Sequence, residues 1–399
     1  MKVIQTASAK LFPTPQEKII LLNTITAFTS AYNNCCSVGF ENNIKNSIKL
    51  HKLTYNSSRE NLPSQLAISA RMMAANSLAS LFTARKKNPE KTFSCPKSKR
   101  MSICLDRNSH SIKFDKQIVS ILTCEGRLRL PFHISDFFSK FINWKHSSAQ
   151  LVFRKNKFFL NVQFEKDFED VPKSGKYIGI DRGIKKIAVT SDNRFFGGGT
   201  TRRICKRYQS IRSKLKVKGT KSAKRHLRRL SGKEKRFKAD VNHCISKRIV
   251  EQLKPGTCIV LEDLSGIRNK RMRKKLRTDV NSWSFLQLEI FLTYKAGIKG
   301  VHIEYVDPRY TSLRCSCCGN ILRSNRKTQA NFECKKCGFK LNADLNAARN
   351  IVLKHRSAST FFEDVALDRA PVNEPNVSSK EKSKDFCGGS YKPRGSSPR

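Results

Sequence analysis

Acidic residues are scarce in this sequence: 31 Asp and Glu stand against 79 Lys and Arg in 399 residues, a formal net charge of +48. Such an excess makes a folded chain repel itself, and a polyanion that releases its condensed counterions relieves the repulsion, so nucleic acid is the expected partner. Long apolar runs are missing as well. None reaches the length of a transmembrane helix and no basic amphipathic segment stands alone, which argues against a membrane-surface role. The opening Met-Lys-Val-Ile-Gln lacks an apolar signal region, so the expected setting is cytoplasmic, in a prokaryote and close to the nucleoid. A disulfide framework is also absent: apart from two Cys-x-x-Cys pairs, the 14 cysteines fall at unrelated spacings, as in a reducing compartment where thiols pack as small apolar groups. Gly197 to Gly199 invite a phosphate-loop reading, but no Gly-Lys-Ser/Thr follows and a flexible turn is expected there.

A chain of this length accommodates two or three domains. Residues 2 to 12 alternate weakly and predict a first strand. Thr14-Pro-Gln-Glu17 is a capping box with Pro at the first helical position. Ile19, Leu22, Ile25, Phe28 and Tyr32 then recur at helical spacing, as do Leu66, Met73, Leu78 and Leu81 between Pro63 and about Lys87. The region 14–95 therefore reads as a helical module. From about Met101 to Glu165 short alternating runs predict strands, the last two joined by a hairpin turning at Lys155-Asn156. The expectation is a small barrel or sandwich built from 1–13 and 96–172, with the helical module inserted after its first strand.

Past a polar linker at Pro172 to Gly175 the pattern turns α/β. Lys176 to Asp181 is an apolar strand, Ile184 to Thr190 its hairpin partner, and Asn193 to Gly199 the next turn. Long basic helices follow, from about Arg202 to Lys216 and from Ser222 to Leu253, broken at Gly219. Their apolar faces carry Ile204, Tyr208, Ile211 and Leu215, then Leu227, Leu230, Phe237, Val241 and Ile245. The other faces carry Lys214, Lys216, Lys224, Arg225, Arg228, Arg229, Lys235 and Arg236. A charge run is often just a solvated face, but this density without balancing acids favours phosphate contact. A further basic block, Arg268 to Arg277, with Arg271, Arg273 and Lys274, belongs to the same expected nucleic-acid surface. A strand over Thr257 to Glu262, a helix near Trp283 to Lys295 and a strand at Val301 to Tyr305 complete this region, and the Ser-, Pro- and Gly-rich stretch 357–399 is expected to be disordered.

Two features carry chemistry. Cys315 and Cys318 form one Cys-x-x-Cys knuckle and Cys334 and Cys337 another, each followed by a glycine that permits the positive φ of a tight metal-binding turn. That spacing suits a structural, tetrahedral Zn2+ site, with disulfides or merely packed cysteines as the rival reading and Cys317 leaving the ligand choice in the first knuckle open. The second feature is a set of acids. Asp181 and Glu262 each end an apolar strand, and Asp344 opens the last helix. Singly each is weak evidence, but three carboxylates so placed can converge on two divalent cations, Mg2+ or Mn2+ rather than Zn2+, for phosphodiester hydrolysis. Asp263 rivals Glu262, since strand alternation lets only one of them face such a site.

Tyr-Ile-Gly-Ile-Asp-Arg-Gly-Ile around Asp181, Ile-Val-Leu-Glu-Asp-Leu around Glu262, Tyr-Lys-Ala at 294–296, and Tyr-Thr-Ser, the two knuckles and Ala-Asp-Leu-Asn-Ala-Ala-Arg-Asn-Ile at the end together resemble TnpB. This is the family of transposon-encoded, RNA-guided nucleases that resembles the ancestors of type V CRISPR effectors. The resemblance covers nearly the whole chain up to about Lys354, including the opening Leu11-Phe-Pro-Thr-Pro-Gln-Glu. It implies a multidomain α+β protein: a wedge-like β-barrel with an inserted helical recognition domain, then an RNase H-like (RuvC) α/β nuclease domain over 173–310 and 341–356, interrupted by a zinc ribbon at 311–340 that binds target nucleic acid. It also implies a guide RNA and a double-stranded DNA target, with Asp181, Glu262 and Asp344 as catalytic magnesium ligands and the four knuckle cysteines as zinc ligands. Arg182 departs from the apolar residue many relatives carry, and Asn342 from a frequent histidine or acid. The rival readings are a nuclease-inactive RNA-guided repressor, a compact CRISPR effector with a different guide source, and a strand-transferring transposase. Oligomeric state stays open between monomer and homodimer.

Overall fold

The computed structural model describes residues 1–267, 277, 280 and 284–359. Arg271, Arg273 and Lys274, and the stretch from residue 360 onward, lie outside the described residues. The chain divides into two compact units, Lys2–Asp167 and the remainder from Phe168 together with Met1.

In the first unit β1 (Lys2–Leu11) is followed by three helices, α1 (Pro15–Glu41), α2 (Ser47–Arg59) and α3 (Ser64–Lys87), and then by β2 (Ile103–Leu105), β3 (His110–Lys113), β4 (Ile118–Thr123), β5 (Gly126–His133), the single turn α4 (Asp136–Ser139), β6 (Lys145–Arg154) and β7 (Lys157–Asp167). The strands form one antiparallel sheet in the order β2-β6-β7-β1-β5-β4-β3. The opening strand thus sits mid-sheet, paired along its length with β7 and at its end with β5. At the β6–β7 hairpin Lys155 and Asn156 take φ of 50° and 60°, the left-handed pair whose twist matches the flanking strands. Helix α1 starts with the expected reciprocal capping box between Thr14 and Glu17. Phe158, Leu160, Val162 and Phe164 alternate along β7 into a core shared with Leu21, Ile25 and Phe28 of α1. Two local readings differ from the structure. Ile19 is 59% exposed while Leu21 is fully buried, so the packed stripe of α1 runs through Leu21, Ile25, Phe28 and Tyr32 and leaves only Ile19 of the expected set outside it. Helix α2, too polar to show an apolar period, buries only Leu50, Thr54 and Ser58.

The second unit is built on β8 (Tyr177–Asp181), β9 (Lys186–Thr190), β10 (Phe195–Gly197), α5 (Gly199–Lys218), α6 (Lys221–Glu251), β11 (Cys258–Glu262), α7 (Phe285–Ile298), β12 (His302–Val306), a small hairpin β13 (Asn331–Glu333) and β14 (Lys340–Asn342), and α8 (Ala343–Ser359). Its main sheet runs β10-β9-β8-β11-β12, with β8, β11 and β12 parallel and β9 and β10 antiparallel. Residues 195–197, expected in a turn, instead form the edge strand β10, and the reversal falls at Asn193 with φ 66°. Between α5 and α6 the chain breaks at Gly219, φ 64°, as the sequence predicts.

The sheet is covered on both faces. Ile180, Ile259 and Leu261 pack with Val241, Ile245 and Ile249 of α6 and Leu288 and Leu292 of α7. Cys258, Val260 and Val306 pack with Ile351 of α8. Strand alternation therefore turns Tyr177, Gly179 and Asp181 of β8, and Cys258, Val260 and Glu262 of β11, toward α8. A Cβ built on Gly179 would overlap the Ala348 carbonyl oxygen, so the absent side chain is what lets α8 lie against β8. The mixed α/β architecture is thus as expected.

Candidate functional site

Asp181 and Glu262 end adjacent parallel strands on the face covered by α8, and Asp344 stands in the first turn of that helix. Burial first, then the charges of Glu262 and Asp344, push the Asp181 carboxyl up to about 8, against the pull of Arg326 and Arg182. Glu262 is buried and its pKa is raised by desolvation, opposed by a hydrogen bond from Thr311 Oγ1 at 2.5 Å to its Oε1. Desolvation also raises Asp344, opposed by Arg326, whose Nη2 lies 3.2 Å from Oδ1, and by Lys186 and Lys185. Asp181 therefore lies close enough to both other acids to be raised by their charge. Oxygen-rich and largely desolvated, such a donor set fits a hard divalent cation, with Arg326 as the cation's competitor at Asp344. Among the described residues only the cysteine quartet gathers three or more potential ligand atoms within 4.8 Å of one another, so the carboxylates are spread more widely than a single ion would draw them.

The Glu262 and Asp263 alternatives are resolved by geometry. Glu262 turns toward α8, whereas Asp263 is exposed and accepts the Ser265 amide at 2.8 Å, which lowers its pKa.

The four knuckle cysteines converge. Cys315 and Cys337 sulfurs lie 3.8 Å apart and those of Cys318 and Cys334 3.5 Å, too far for a disulfide and close to the roughly 3.8 Å edge of a tetrahedron with ~2.3 Å metal–sulfur bonds. Cys317 is exposed and outside the quartet. Gly319 and Gly338 take φ of 75° and 72° and return their amides to Cys315 and Cys334. Although burial alone would raise the Cys334 thiol, the amides of Cys337 and Lys336 and the Cys318 and Cys337 thiols outweigh it and hold it at about 6. The quartet can hold a metal ion as thiolates.

Several asparagines, all but Asn342 passed over by sequence reasoning, assemble this region. Fully buried Asn325 donates to the carbonyls of Leu313 and Asn320 and accepts the Lys335 amide, pinning the two halves of the cysteine loop. Asn346 and Asn350 of α8 donate to the Arg314 carbonyl, and Asn350 also to that of Thr311. Asn342 accepts the amides of Asp344 and Leu345, capping α8. The signal for Asn342, Asn346 and Asn350 lay in the Asn-Ala-Asp-Leu-Asn-Ala-Ala-Arg-Asn run, and none marked Asn325, since an asparagine's partner is not written in its neighbours. Of the basic candidates, Lys214, Lys216, Lys224, Arg225, Arg228, Arg229, Lys235 and Arg236 are all exposed on α5 and α6. Among the described residues no helix is long and apolar enough to cross a membrane.

Two family models match this unit and its approach: the one described as a probable transposase over residues 159–271, and the Cas12f1-like TNB domain over residues 285–351. The chain is 33% identical over 231 residues to the CRISPR-associated endodeoxyribonuclease Cas12f1 of Sulfoacidibacillus thermotolerans, covering 52% of this chain and 53% of that protein. It is 29% identical over 266 residues to a TnpB-like protein of Methanocaldococcus jannaschii, covering 62% of this chain and 95% of the relative. InsQ of Escherichia coli K12, named as a candidate RNA-guided DNA endonuclease, is 27% identical over 240 residues, 59% of its length. The alignments thus span about half of the Cas12f1 relative and nearly all of the archaeal one. In fold, the chain matches a Cas12f1 solved as a complex with single-guide RNA and target DNA, with a TM-score of 0.59 at 16% identity over 85% of this chain and 83% of that one. The fold is therefore shared with that Cas12f1 structure. The resemblance to TnpB drawn from the motifs is borne out: the chain is similar to a TnpB-like protein and to Cas12f1 proteins, and both family models match parts of it.

Proposed function

We propose that this chain is an RNA-guided DNA endonuclease of a transposable element, cutting target DNA by two-metal-ion phosphodiester hydrolysis. The observation that carries the reading is the placement of Asp181 and Glu262 on one sheet face against Asp344 of α8, where burial raises all three carboxyls and the charges of the other two acids raise Asp181 further. In this reading the three carboxylates hold Mg2+ or Mn2+, which when bound activates a water and stabilises the leaving oxygen. The chain's own contribution is to fix those carboxylates: Thr311 orients Glu262, Asn342 caps the turn bearing Asp344, and Gly179 lets the helix reach the sheet. The cysteine quartet holds a structural Zn2+, supported by sulfur spacings near a tetrahedral edge.

The remaining parts follow the same reading. Residues 1–13 and 96–172 serve as the wedge-like barrel, 14–95 as the recognition helices, 173–310 and 341–356 as the RuvC-like nuclease, and 311–340 as the zinc ribbon. The exposed cations of α5 and α6 bind phosphates of a guide RNA or its heteroduplex with DNA, whose sequence is read by base pairing rather than by the protein. The names of the relatives, and the fold match to a Cas12f1 solved with single-guide RNA and target DNA, support RNA and DNA as partners.

The test is to sequence RNA copurifying with the protein, retarget it against a plasmid library in Mg2+, and compare Asp181→Ala. Guide-dependent cutting lost in the variant is the expected result; no cutting, or equal cutting by the variant, overturns the reading.

A further inference from the structure

Arg182 follows the first acid of the site, yet strand alternation sends it to the opposite face of the sheet, toward α7. Its side chain is fully enclosed. One terminal nitrogen, Nη1, donates to Glu289 Oε2 of α7 at 2.5 Å, and the other, Nη2, donates to the backbone carbonyl oxygen of Glu262 at 2.6 Å. Glu289 is in turn held by the Tyr305 hydroxyl of β12, which donates to its Oε1 at 3.1 Å. A chain of hydrogen bonds therefore runs from β12 through α7 to the last peptide of β11, the one that carries Glu262. The Asp263 amide, next along, donates to the Val306 carbonyl at 2.8 Å. The peptide group that follows the Glu262 side chain is thus tied from outside β11 at both its carbonyl and its amide.

Resting on the nuclease reading above, we infer that Arg182 is a positioning residue for Glu262: it fixes the carboxylate by clamping that residue's own backbone from the far face of the sheet. The reason is geometric. A strand end is where a chain frays, and a misplaced metal ligand weakens both ion binding and the reaction. Only a planar fork with two separate donors can engage Glu289 and the Glu262 carbonyl together while keeping the charge neutralised by Glu289. A lysine in its place keeps the charge but offers one point of attachment. An apolar residue would fill space and leave Glu289 without its cation. The role belongs to this chain's arginine and not to a leucine or valine at the same position, which could not reach that carbonyl.

The test uses the full chain with its copurified RNA and compares Arg182→Lys and Glu289→Gln with the parent. Outer partners of metal ligands typically matter by 10- to 100-fold in metal affinity or activity. Arg182→Lys is therefore expected to weaken Mn2+ binding, read by electron paramagnetic resonance without DNA, by about 10-fold, and to slow single-turnover cutting by a similar factor. Target-DNA affinity should not change. Glu289→Gln should move both readouts in the same direction by less. A folded Arg182→Lys protein whose Mn2+ titration and cutting rate match the parent overturns the inference. Should Arg182→Lys fail to fold, unchanged Mn2+ binding and rate in Glu289→Gln overturn it. A parent protein that does not cut would overturn the nuclease reading, while the Mn2+ titration would still decide the part played by Arg182.

Discussion

Arg326, in the loop between the two cysteine knuckles, places its guanidinium 3.2 Å from the carboxylate of Asp344, in the first turn of the helix that follows the second knuckle. The cysteine loop and the acidic site are therefore joined by an ion pair. A divalent cation binding at Asp344 has to compete with this arginine. In DNA-free protein, Arg326→Ala should tighten Mn2+ binding by a few-fold, the equivalent of about 1 kcal/mol for a partly exposed pair. Equal Mn2+ titrations would show that the pair does not guard the carboxylate.

The raised carboxyls make the site sensitive to pH in the absence of divalent cation. Asp181 has a folded pKa of about 8 against an ordinary value of 3.8, so between these values the folded protein holds a proton that the unfolded chain has lost, and stability falls as pH rises across that window. With zinc retained and no magnesium added, Asp181→Asn should melt above the parent at pH 8, and the gap should close toward pH 4. A parent that gains stability relative to the variant as pH rises would contradict this.

If the quartet holds zinc as proposed, Cys334→Ser should abolish zinc binding and loosen the loop, because a structural metal contributes folding energy directly. Cys317→Ser should keep it, since that thiol is exposed and outside the quartet. Zinc content by mass spectrometry and amide exchange across 311–342 would read both. Retention of zinc in Cys334→Ser, or its loss in Cys317→Ser, would reassign the ligands.

Gly179→Ala forces a methyl against the Ala348 carbonyl. Overpacking of this kind costs about 1–3 kcal/mol, and here it also drives α8, with Asp344, away from β8. A lower melting temperature together with weaker Mn2+ binding is expected. An unchanged melting temperature would mean that the helix yields without strain.

Local patterns made much of this legible. The capping box at Thr14, the Lys155-Asn156 hairpin, the break at Gly219 and the two knuckles are written in short stretches of sequence, because each depends on backbone conformations or spacings fixed by neighbouring residues. The acids at the ends of apolar strands were visible for the same reason, and the TnpB motifs gathered them. What stayed hidden needs partners far away in the chain. Helix α2 has too few buried side chains to show a period, and the exposure of Ile19 at the edge of the α1 stripe depends on what packs beside it.

The sequence by itself determined that three acids and four cysteines were available, and that the chain carries a large excess of positive charge. Only the tertiary structure chose between Glu262 and Asp263, set Cys317 apart, and gave Asn325, Asn346, Asn350, Arg182 and Arg326 their partners. The reason is physical. Alternation along a strand says that two neighbours face opposite ways, but which face becomes the site depends on the helix that packs there, and α8 arrives long after β11 ends, bringing Asp344 with it.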